Sequence, residues 1–62
     1  MEHPRLAIIE QRIAEIEVRI TMQRALMARM GAGNLQRATM EILHDALRQH
    51  RAIRWDIRKA SS

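Results

Sequence analysis

Leu6, Ile9, Ile13, Ile16, Ile20, Gln23, Met27 and Met30 follow one another at spacings of 3, 4, 3, 4, 3, 4 and 3. That alternation puts every member on one stripe of an α-helix, an a/d heptad over three and a half repeats interrupted once, at Gln23. A helix with such a stripe requires an apolar partner lying alongside it. Pro4 suits the first turn, where its missing N–H has no work to do, and leaves His3 as the capping residue. The pattern stops at Gly31-Ala32-Gly33-Asn34. Gly31 can take the left-handed conformation that ends a helix, and Asn34 is a favourable N-cap for the next. A connection this short predicts antiparallel neighbours.

The second helix is predicted from about residue 35 to about residue 59, with residues 60–62 fraying. Its apolar stripe is broader: Leu35, Ile42, Leu43, Ala46, Leu47, Ile53 and Ile57, with Thr39 and His50 near the middle. The whole chain, 1–62, thus reads as one all-α domain, an antiparallel, coiled-coil-like two-helix hairpin. Helix 1 spans about 4–30, the turn 31–34 and helix 2 about 35–59. The expected seam comprises Leu6, Ile9, Ile13, Ile16, Ile20 and Met27 against Leu43, Ala46, His50, Ile53 and Ile57. Gln23, Thr39 and His50 read as polar insertions that set the register.

Charge pattern supports the same orientation. Glu10 and Glu17 flank the first stripe on one side, Arg12 and Arg19 on the other. Folding about residues 32–33 sets Glu10 level with Arg54 and Arg19 level with Asp45, so both expected meetings join opposite charges. Such exposed pairs add about 0–1 kcal/mol each; their larger effect is to select one orientation.

At 62 residues the chain buries little apolar surface by itself, and with no cysteine it has no disulfide or thiolate metal site to compensate. Its 47% hydrophobic content comes from Ile, Leu, Met and Ala rather than Phe or Tyr, which excludes a disordered tail and favours helix over sheet. One seam also leaves Ile8, Val18, Met22 and Leu26 uncovered. A homodimer closing into a four-helix bundle is the simplest expected remedy. No apolar run approaches the ~18 residues of a membrane span, and the N-terminus meets charge too early for a signal peptide. No membrane association is expected, and the expected location is cytoplasmic.

Chemistry-bearing groups are few. Glu41 and His44 match Glu-x-x-His, a spacing used by di-iron bundles, but the helical wheel turns them away from the apolar stripe, where an inward ligand set cannot form. His50 points inward; it reads as a core histidine with a single hydrogen-bond partner, Glu17 being the candidate, rather than as a pH switch. The only serines are Ser61 and Ser62, and the Gly31–Gly33 stretch lacks the strand and lysine of a phosphate loop. No enzyme, cofactor or metal is expected.

The net charge of +4 lies mostly in the second half, where five arginines and one lysine face three acids. Arg37, His44, Arg48, Arg51, Trp55 and Lys59 share the outer face of helix 2. Three readings stay open for it: a solvated face on which arginine stems shield Trp55, a protein contact anchored by Trp55, or a nucleic-acid contact through phosphates and base stacking.

Gln23-Arg24, the Gly31–Asn34 turn, and His50-Arg51-Ala52 with Arg54 together resemble a group of short proteobacterial helical-hairpin proteins, over about residues 19–58. That resemblance implies the hairpin fold and brings no activity with it. In size and shape the chain is also similar to Rop, the plasmid RNA-binding hairpin that dimerises into a four-helix bundle, though no motif is shared. The sequence therefore predicts a non-enzymatic, self-associating helical interaction module. The alternative is a basic bundle that binds RNA or DNA through the outer face of helix 2.

Overall fold

The computed structural model describes residues 3–61. It is an all-α hairpin: helix α1 covers Pro4–Met30 and helix α2 covers Asn34–Ser61. His3 caps α1 in an extended conformation. Its ring Nδ1 accepts the Arg5 N–H at 3.1 Å, and its carbonyl accepts from Leu6 at 3.0 Å. Two of the backbone donors left over at a helix start are thereby satisfied. Continuation of α2 through Ser61 corrects the frayed end expected for residues 60–62; Ser62 lies outside the described residues.

The turn is made by Gly31, whose N–H donates to the Met27 carbonyl at 2.8 Å. Its φ is +92° and its ψ 164°, so the sequence-based left-handed expectation holds for φ but not for ψ. This extended, positive-φ region is open essentially to glycine alone. It throws the chain straight past the end of α1. The Gly33 carbonyl accepts the first bond of α2, from Arg37 N–H at 3.0 Å. Gly33 therefore occupies the capping position expected of Asn34, and α2 begins one residue early.

That outward throw decides the register. Arg58 bonds Glu10 at 2.7 Å and Arg51 approaches Glu17 at 3.7 Å. Both pairs centre on residue 34 rather than on 32–33, a slip of one helical turn from the expected pairing. The expected Glu10–Arg54 and Arg19–Asp45 meetings do not form; Asp45 instead pairs with Arg48 in its own helix. The first turn of α2 overhangs the end of α1, which is why Leu35 is 76% exposed.

The core is small. Ile13, Ile20 and Leu47 form a buried cluster, with Ile9, Ile16, Met40 and Leu43 packed on it half-buried; Ile57 is buried nearer the open end. Leu6, Gln23, Met27, Ala46 and His50 are also half-buried. Ile53, expected in the seam, is exposed. The correction has a geometric cause. At about 100° per residue, the wide stripe of α2 resolves into two. Met40, Leu43, Leu47, His50, Arg54 and Ile57 face α1, whereas Leu35, Ile42, Ala46 and Ile53 lie on the flank opposite Arg51 and Arg58. The particle measures 45 × 15 × 12 Å, with a radius of gyration of 14.4 Å. A compact chain of this length would have about 11 Å.

Candidate functional site

Two ion pairs tie one flank of α1 to one flank of α2, Glu10–Arg58 and Glu17–Arg51. They define a charged side of the hairpin. On it, two open hollows share His44. One is lined by Met27, Arg37, Met40, Glu41 and Arg48, the other by Glu17, Thr21, Arg24 and Arg51. His44 is half-buried between them, not on the water-facing side that the helical wheel suggested. The reason is the true phase of α2: residues that face α1 are Leu47 and its neighbours, so His44 lies at the edge of the seam rather than across from it.

The six residues expected to share an outer face are thus divided. Arg37, His44, Arg48 and Arg51 line the hollows. Arg51 reaches back to α1, which corrects its assignment to the face turned away from packing. Trp55 is 67% exposed and Lys59 is exposed as well. Arg24 and Thr21 join the site from α1. They were missed because they belong to another helix, and only the register could bring them level with His44. Thr21 spends its hydroxyl on the Glu17 carbonyl at 3.0 Å, and Thr39 likewise donates to Leu35 at 2.9 Å, so Thr39 makes no bond across the seam.

Carboxylates share these hollows with the cations. Glu17 meets Arg51 and Asp45 meets Arg48, while Glu41 lines the same wall as Arg37. Attraction for an external anion is therefore largely answered within the chain. His50 donates from Nδ1 to the Ala46 carbonyl at 2.7 Å. Its partner is its own helix rather than Glu17. Among the described residues, no group of three or more His, Cys, Asp or Glu side chains is placed to hold a metal ion, and no helix is long and apolar enough to cross a membrane.

The opposite side differs in chemistry. Ile42 is 68% exposed there, and Leu35 and Ile53 are exposed beside it. On the α1 half of this side, Arg5, Arg12 and Arg19 recur every seven residues. The back of α1 carries a third surface, a shallow hollow where Val18 and Met22 are interleaved with Gln11 and Glu15.

Fold and surface together define a helical hairpin with one charged side and with large apolar side chains exposed on both helices, among them Ile8, Val18 and Met22 of α1 and Leu35 and Ile42 of α2. No family model, curated protein or solved structure matches the chain.

Proposed function

We propose that this hairpin is a non-enzymatic, self-associating interaction module whose working form is a dimer closed into a four-helix bundle. The observation that carries the reading is its surface. The hairpin exposes 5129 Å², where a compact monomer of its 7.3 kDa mass exposes about 4,200 Å². The excess, roughly 900 Å², is close to the ~800 Å² that one partner commits to a standard protein interface. Size gives a second support: two copies side by side would have a compact radius of gyration of about 14 Å, which a single extended hairpin already reaches. Exposed Ile, Leu and Met supply the driving force, since burial of apolar area is worth about 25 cal/mol per Å².

The nucleic-acid reading takes second place, because Glu17, Glu41 and Asp45 share the hollows with the arginines that would have to meet phosphate.

Sedimentation equilibrium across micromolar concentrations tests the proposal, with thermal unfolding run on the same samples. A dimer whose midpoint rises with protein concentration is expected. A fully helical monomer with a concentration-independent midpoint would reject it.

A further inference from the structure

We infer that Met27 and Met40 form an oxidation site, at which a peroxide converts two thioethers to sulfoxides and unseats the closed end of the hairpin. The inference concerns the single hairpin and does not depend on self-association.

The chain has no cysteine, so all of its sulfur is methionine thioether, a group that two-electron oxidants convert to the sulfoxide. The four described methionines fall into two kinds. Met22 and Met30 are 66% and 74% exposed and stand in water. Met27 and Met40 are half-buried and line one open hollow from opposite helices. Met40 also packs on the cluster of Ile13, Ile20 and Leu47. This pair is both packed and reachable. Packing gives its oxidation a structural consequence, and the hollow gives an oxidant a way in.

Position in the seam decides that consequence. With the register centred on residue 34, Met27 and Met40 stand nearly level. Between them and the turn only Gln36 and Thr39 are half-buried, while Met30 and Leu35 are exposed. Thr39 spends its hydroxyl on its own helix. Met27 and Met40 are therefore the last apolar layer before Gly31, with nothing apolar behind them to hold the turn end shut.

The reaction balances with peroxide as the sole co-reactant. A sulfur lone pair attacks one peroxide oxygen and the O–O bond breaks. The proton on the attacked oxygen passes to the departing hydroxide, so water leaves and the sulfoxide remains. Sulfur gives up two electrons and the peroxide takes them. A flexible apolar side chain becomes a polar one, whose oxygen calls for a hydrogen-bond donor. The apolar layer offers none, and burying the group unpaired is costly. Arg37 and Arg48, on the wall of the same hollow, carry donors. Oxidised side chains thus leave the seam for the hollow.

Hydrogen peroxide added to the full chain tests this, with sites read by peptide mass spectrometry and stability by urea unfolding. Met22 and Met30, the more exposed pair, should oxidise first and leave the urea midpoint where it was. Met27 and Met40 should follow in the folded protein and lower the midpoint by about 1 M. The double variant Met27→Leu, Met40→Leu, which nearly conserves volume, should keep its midpoint through the same treatment. Met22→Leu, Met30→Leu should lose it as the parent does. The parent's midpoint, read against its sites of oxidation, decides the matter even where a variant is unstable. Met27 and Met40 left as thioethers once Met22 and Met30 are fully converted would overturn the inference. So would sulfoxides at both positions with an unchanged midpoint.

Discussion

Arg58 donates to a carboxylate oxygen of Glu10 at 2.7 Å, joining positions 48 residues apart across the open end of the hairpin. The pair is half-exposed, so its net stabilisation is modest, about 0.2–1 kcal/mol. Its structural meaning is larger, because it fixes which turn of α2 faces which turn of α1. A double-mutant cycle on Glu10 and Arg58 should return a coupling energy in that range. The same cycle on Glu10 and Arg54 should return none. Equal coupling in both, measured by chemical denaturation, would mean that the register slides.

Gly31 and Gly33 should respond differently to alanine. At Gly31 a Cβ meets open space, but φ is +92°, so Gly31→Ala should lose about 1–3 kcal/mol through backbone strain. At Gly33 the new Cβ would come within 2.8 Å of the Gln36 carboxamide oxygen, the free end of a flexible side chain. Gly33→Ala should therefore stay within about 1 kcal/mol of neutral, the gain from restricting the unfolded chain being offset by the poorer fit of alanine at a helix N-cap. Urea midpoints of the two variants check the contrast.

Core truncation should be severe for so small a core. Ile13 and Leu47 are 3% and 7% exposed and belong to one cluster. Ile13→Ala or Leu47→Ala should each remove about 2–5 kcal/mol, enough to unfold much of the population by circular dichroism at 25 °C. Leu35→Ala, at the overhang, should leave the helicity of the hairpin unchanged.

His50→Leu should be tolerated to within about 1 kcal/mol. The imidazole is half-buried and its hydrogen bond goes to the Ala46 carbonyl, a group the helix already engages. Removing both the polar ring and its demand for a partner is close to neutral. A thermal midpoint that collapses in this variant would reveal a second, indispensable contact of the ring.

Trp55 should report on self-association without taking part in it. It is 67% exposed and stands on the flank of α2 opposite Ile42 and Ile53. Its fluorescence should stay red-shifted and open to acrylamide quenching at all protein concentrations. Trp55→Ala should leave both helicity and self-association unchanged. A blue shift on concentrating the protein would place the tryptophan inside a contact.

The sequence alone determined the two helices, the cap of the first and their antiparallel order. Heptad spacing in α1, Pro4 at its start and glycines at its end are local signals, and each acts within a few residues of the place it governs. Burial of Ile13 and Ile20 was legible for the same reason: they sit mid-stripe, where any partner helix must cover them. What only the tertiary structure decided was the phase and register of α2. Its apolar positions cover more than one helix-width of surface, so the pattern does not say which edge meets α1. That choice turned on the ψ of Gly31, which carries the chain one turn further before it folds back. From it follow the exposure of Leu35 and Ile53, the pairing of Glu10 with Arg58 instead of Arg54, and the placing of Arg24 and His44 on one hollow. Each depends on which residues far apart in the chain are set level, and a slip of one helical turn changes it while leaving every local signal as it was.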